Sequence, residues 1–164
     1  MKHSNENIIK VTKSSANQLA QIDFESEHQN ARRRKVSKSD MKKEIMNRFN
    51  RKHELFFAYK MNNELIGYIT LKPSFPGYKH SEIYWLAVKK KYQGMGIGSK
   101  LVKFIENYAK KKGFRKVCIY TGKTMNQTRK FYAKLGYKLV NEFPDYYGYK
   151  TGNRTAVLYL KSLK

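Results

Sequence analysis

Tyr92-Gln93-Gly94-Met95-Gly96-Ile97-Gly98-Ser99 is the stretch on which the reading of this chain turns. It follows Glu82-Ile83-Tyr84-Trp85-Leu86-Ala87-Val88, whose branched and aromatic residues suit a strand. It precedes Leu101, Phe104, Ile105 and Tyr108, which repeat at helical spacing up to a capping Gly113. Alternating glycines let a backbone turn several N–H groups toward one point at a helix start, where the helix dipole and unpaired donors favour phosphate. Lys100 and Lys103 add positive charge close by. A nucleotide P-loop needs Gly-Lys-Ser/Thr, but Gly98 is followed by Ser99 and Lys100. A dinucleotide fingerprint wants glycine where Ser99 stands and an acid on a second strand about twenty residues later. Both fail on spacing, which leaves a phosphate cradle of another kind or a flexible turn without a ligand.

Around this stretch the pattern predicts a layered fold. Residues 8–12 read as a first strand, followed by helices over 16–26 and from about 40 to 50, the second capped by Ser39. Residues 55–61 and 64–71 are β-rich and flank Asn62-Asn63, a two-residue hairpin turn. Beyond the glycine loop and its helix, residues 116–121 read as a strand. A short helix then carries Thr128, Phe131, Tyr132 and Leu135 on one face and stops at Gly136. Residues 137–143 and 155–160 close as an antiparallel pair. The order βααβββαβαββ predicts an α/β (α+β) fold with a mixed, mostly antiparallel sheet of about seven strands and about four helices. No repeat or linker divides the 164 residues, so residues 1–164 are expected to form a single domain.

Composition narrows the function. Thirty-five Lys plus Arg against 12 Asp plus Glu give a net charge of +23, yet 40% of residues are hydrophobic, too many for a disordered basic tail. The longest apolar run, Ile83 to Val88, is far short of the ~20 residues a membrane span needs, and no signal-peptide pattern opens the sequence. A cytoplasmic protein outside the membrane is therefore expected. The single cysteine, Cys118, excludes an internal disulfide and argues against a cysteine-based metal site. The charge attracts polyanions, but basic residues are spread from Lys2 to Lys164 and no aromatic-basic alternation marks a base-reading surface. Nucleic acid is thus a possible partner that the pattern does not favour.

Gln93-x-x-Gly96-x-Gly98 resembles the acyl-CoA pyrophosphate loop of the GNAT N-acetyltransferase superfamily. Phe131-Tyr132-Ala133-Lys134-Leu135-Gly136-Tyr137 resembles that family's second signature, and the likeness covers about residues 55–160. The resemblance implies the GNAT fold, acetyl-CoA as co-substrate, and direct transfer to a primary amine in a ternary complex without a metal. It implies that Leu86, Ala87 and Val88 pair with the pantetheine arm. Gln93, Gly94, Met95, Gly96, Ile97, Gly98 and Ser99 would hold the pyrophosphate, and Asn126 would contact the coenzyme, one residue later than the family's usual asparagine, where Met125 stands. Tyr132 would contact the cofactor and donate a proton to the leaving thiolate; its alternative is plain core packing. Glu82, eleven residues before Gln93 as in the histone acetyltransferase branch, would be the general base or else a solvated strand-end carboxylate. It lies roughly 13 Å along the strand from Leu86, so proton removal would run through water. Leu86 N–H, at the family's strand bulge, would polarise the acetyl carbonyl.

For the acceptor, Asp145-Tyr146-Tyr147-Gly148 resembles the tyrosine-rich loop of ribosomal-protein N-terminal acetyltransferases, which makes Tyr147 a candidate contact or a surface-turn residue. Those enzymes carry a glutamate on the fifth strand, where this chain has Tyr120-Thr121-Gly122. Glu25 and Glu27, with Asp23 and His28, form a local acidic spot that would hold an ammonium or simply be solvated. A +23 chain repels polycations at long range, which favours a small amine, an amino acid or a single peptide amine. The alternative on the same fold is a catalytically silent module that binds acyl-CoA or an anionic partner such as RNA or the ribosome. Monomer and homodimer are both compatible with the sequence.

Overall fold

The computed structural model describes residues 7–26, 36–148 and 154–163. Its strands are β1 (Asn7–Lys10), β2 (Leu55–Met61), β3 (Glu64–Pro73), β4 (His80–Val88), β5 (Lys116–Gly122), β6 (Lys138–Phe143) and β7 (Ala156–Ser162). The α-helices are α1 (Ala16–Glu25), α2 (Lys38–Arg51), α3 (Ile97–Lys111) and α4 (Asn126–Lys134). The strands form one sheet in the order β1-β2-β3-β4-β5-β7-β6, antiparallel throughout except for β4 beside β5. This is the expected mixed fold, and the element order agrees.

Local chemistry explains the boundaries. Asn62 and Asn63 both take left-handed backbone (φ 48° and 67°), the geometry that lets a two-residue turn follow the twist of β2 and β3. Helix α2 starts two residues before the expected Asp40, because Ser37 rather than Ser39 is its cap. The Ser37 hydroxyl accepts from Asp40 N–H at 3.1 Å, and the Asp40 carboxylate accepts from Ser37 N–H at 3.1 Å, a reciprocal capping box.

Each sheet face carries its own core. On one side Leu101, Val102, Ile105 and Ala109 of α3 pack on Phe57, Ile69, Ile83 and Val117. On the other, Leu19, Ala20 and Ile22 of α1 and Ile45 of α2 pack on Phe56, Tyr68 and Ala87. Burying each large aliphatic side chain contributes about 1.5–3 kcal/mol, so both faces of β4 are clamped. The remaining freedom lies at its edge. β4 and β5 pair only over His80–Glu82 against Lys116–Cys118, and beyond Glu82 no strand among the described residues occupies that edge of β4.

Candidate active site

A cleft of about 1170 Å³ opens where β4 and β5 part, bounded by the glycine loop, α4 and the turn after β6. The parting leaves backbone groups of β4 facing the cleft.

At one end lies the glycine loop. Gly94 and Gly96 have φ of 82° and 78°, conformations that L side chains rarely adopt, and Gly96 is the N-cap of α3. The first N–H groups of α3, from Ile97 to Ser99, have no partner within the helix and line the cleft. Gln93 fastens the loop: its side-chain amide donates to Val88 C=O at 2.9 Å and to Ser26 C=O at 3.1 Å. Lys103 lines the cleft, whereas Lys100 turns away and donates to the Tyr59 hydroxyl at 3.0 Å. These donors and the helix dipole suit a diphosphate.

Tyr132 of α4 lines the middle of the cleft, 4% exposed, with Phe131 and Tyr137 edge-on to its ring at 5.0 and 5.6 Å between centroids. Burial pushes its phenol well above the ordinary tyrosine range, so it keeps its proton at neutral pH.

Glu82 lies at the far end, 5% exposed, and is not the solvated strand-end carboxylate that was one of its two readings. It is the third residue of β4 and faces Lys72 across the β3–β4 register, with Lys72 Nζ 3.8 Å from Oε2. Burial pushes its carboxyl up to about 7; Lys72 pulls it down and the nearby Glu54 charge pushes it up. Glu82 is thus close to half-ionised at neutral pH, the condition for taking a proton and giving it back. Lys72 Nζ also lies 3.1 Å from the centre of the Tyr84 ring.

Several expectations need correction or qualification. The bulge in β4 falls at Tyr84, because Trp85 pairs with Thr70 and Ile83 with Leu71; Leu86, where the bulge was expected, pairs regularly with Ile69. The surplus residue turns its ring to the cations of Lys72 and Arg48. Leu86, Val88, Gln93, Gly94, Gly96, Ile97, Gly98, Ser99 and Tyr147 line the cleft. The Ala87 side chain packs on the opposite face with α1, Met95 is 60% exposed outside the cleft, and Asn126 is not in its wall although Gln127 and Thr128 are. The acidic spot divides. Asp23 is buried and accepts from Tyr68 hydroxyl at 2.7 Å and Trp85 Nε1–H at 2.9 Å. Glu25 is paired with Lys89 at 3.2 Å, outside the cleft, and Glu27 and His28 lie outside the described residues. Two groups escaped the sequence reading. Lys72 is legible only once the bulge fixes its register to Glu82, and Tyr84 is chemically distinctive only because the bulge turns it outward.

The model of the acetyltransferase (GNAT) family matches residues 16–137. A protein named Probable N-acetyltransferase 14 from Xenopus tropicalis is 29% identical over 86 residues, 52% of this chain. The chain matches only 41% of that relative's length. An N-acetyltransferase from Staphylococcus aureus Mu50 superposes with a TM-score of 0.75 at 19% identity, over 98% of this chain and 100% of that one. A GNAT family acetyltransferase from Elizabethkingia anophelis with acetyl-CoA bound gives 0.73 at 23% identity, over 97% and 99%. Among the described residues no helix is long and apolar enough to cross a membrane.

Proposed function

The chain belongs to the acetyltransferase (GNAT) family, and from that premise we propose that it transfers an acetyl group from acetyl-CoA to a primary amine by direct attack in a ternary complex. The observation that carries the reading is one cleft with a glycine-lined helix start at one end, the buried phenol of Tyr132 in the middle and the buried carboxyl of Glu82 at the other. The cradle residues fit the coenzyme: Gly94 and Gly96 keep side chains out of its way, and the N–H groups of residues 97–99 meet its diphosphate. The edge of β4 at Leu86 and Val88, where Val88 C=O already accepts from Gln93, would offer its other backbone groups as strand-like hydrogen bonds to the amides of the pantetheine arm.

Glu82 takes one proton from the substrate ammonium through water and frees the nitrogen lone pair. That pair forms the new N–C bond. As the C–S bond breaks, sulfur leaves with the bonding electrons and takes the Tyr132 proton; the nitrogen gives up its second proton, which restores the phenol, and Glu82 passes the first to solvent. Ammonium and thioester become amide and thiol, and one proton is released in balance. In this reading residues 1–164 form one cytoplasmic domain, monomeric or homodimeric, needing no metal. Glu25 is spent on Lys89 and Met95 is peripheral to the cradle.

Calorimetric titration with acetyl-CoA, followed by thiol release against a panel of primary amines, tests this. Micromolar binding with release on one amine class is expected. Binding without release on any amine would overturn the enzymatic reading in favour of a silent acyl-CoA-binding module.

A further inference from the structure

The acceptor end of the cleft is walled by rings. Tyr120 of β5 stacks on Tyr146 with centroids 5.6 Å apart and planes 10° apart. Phe143 packs against both at 6.0 and 6.1 Å, and Tyr147 meets Tyr146 edge-on at 5.2 Å. The turn holding them is braced: Asp145 takes left-handed backbone (φ 54°) and pairs with Arg154, and Tyr147 N–H donates to Arg154 C=O at 3.0 Å. Tyr146 is nonetheless 52% exposed, so about half of this last member of the stack is left uncovered by protein. Ring stacks are favourable at centroid separations of about 4.5–7 Å, and an open terminal ring is a seat for one more.

The charges of this end restrict what the ring may carry. Glu82 is the only acid among the described lining residues, and the lining cations, Lys103 and Lys134, belong to α3 and α4 rather than to the wall of rings. Among the described residues near this end, Lys72 is engaged with Glu82 and the Tyr84 ring, and Arg154 with Asp145. One carboxylate suits one ammonium, and among the described lining residues no cation at this end receives a substrate carboxylate.

Resting on the acetyltransferase reading above, we propose that the acceptor is an arylalkyl monoamine without a carboxylate, its ring laid on Tyr146 and its ammonium turned to Glu82. The transfer itself is the balanced step already described, with this amine as the nucleophile. Amino acids are disfavoured because no cation among the described lining residues at this end meets a carboxylate, and polyamines by the single acid among them and the +23 charge.

The test measures thiol release at saturating acetyl-CoA with phenethylamine, butylamine, phenylalanine, spermidine and a short amidated peptide. The expected result is kcat/KM for phenethylamine at least tenfold above each of the others. Tyr146→Ala should reduce the phenethylamine-to-butylamine ratio at least fivefold, and Tyr146→Phe, which keeps the ring, should preserve it. A preference for phenylalanine, spermidine or the peptide, or an unchanged ratio in Tyr146→Ala, overturns this inference while leaving the acetyltransferase standing. Absence of release with every amine overturns the acetyltransferase reading and this inference with it.

Discussion

Replacing Lys72 by methionine is expected to move the acidic limb of the pH–rate profile upward. Lys72 Nζ lies 3.8 Å from Glu82 Oε2, a separation worth about 1 kcal/mol in bulk water and about 4 kcal/mol at an effective dielectric constant near 20. The Lys72 side chain is 26% exposed and that of Glu82 6%, so solvent screens the pair and the lower part of that range applies. About 1.4 kcal/mol is one pKa unit. Lys72 favours the ionised carboxylate; without it the carboxyl rises from about 7 to about 8. At pH 7 the ionised fraction then falls from about one half to about one tenth, a roughly fivefold loss of turnover that returns by pH 9. The assay is kcat against pH with one amine for wild type, Lys72→Met and Lys72→Arg, so that the amine's own titration is common to all three. The arginine variant keeps the charge and should keep the limb near its original place. An unmoved limb in Lys72→Met, or a downward shift, would refute the assignment of that limb to Glu82.

Tyr132→Phe should lower kcat by about a hundredfold, the lower range for a lost proton donor, while calorimetry shows acetyl-CoA affinity nearly unchanged. Gly96→Val forces a β-branched residue to φ 78° at the helix cap, and acetyl-CoA affinity should fall more than tenfold while circular dichroism reports an intact fold. Asp23, pushed up to about 6 by burial against the hydrogen bonds of Tyr68 and Trp85, holds its proton more tightly in the native than in the unfolded chain. Its contribution to stability is therefore complete below about pH 4 and is lost as pH rises through about 6. Chemical denaturation should show this decline in the wild type and a flatter curve between those values in Asp23→Asn.

Features that rest on neighbours in the chain were legible before the fold was known. The hairpin needs two residues tolerant of left-handed backbone, and Asn62-Asn63 supplies them locally. Gly113 and Gly136 end their segments in the same way, with φ of 82° and 88°. The glycine loop was readable because helix start, φ requirement and donor geometry all fall within eight residues. Two local signals were present and misread. Asp40 stands three residues after Ser37, the spacing of a capping box, so the helix start was available. Asp23 continues the 16, 19, 20 spacing of the buried face of α1, which places it inside rather than on an acidic surface spot. The pairing of Lys72 with Glu82 was not legible, because it depends on how many residues the bulge inserts between Thr70 and Leu71 in register. Likewise the stack of Tyr120 on Tyr146 joins residues that meet only through the crossing of β5, β7 and β6.

The free edge of β4 beyond Glu82 has a consequence for the life of the protein in storage and in the cell. A strand edge that no neighbouring strand covers is a template for any passing extended chain, including another copy of itself. Filling that edge removes the template. Acetyl-CoA would then act as a guard against self-association as well as a reactant, and light scattering of concentrated protein should fall when the coenzyme is added. Preparations stripped of it would be the ones that cloud.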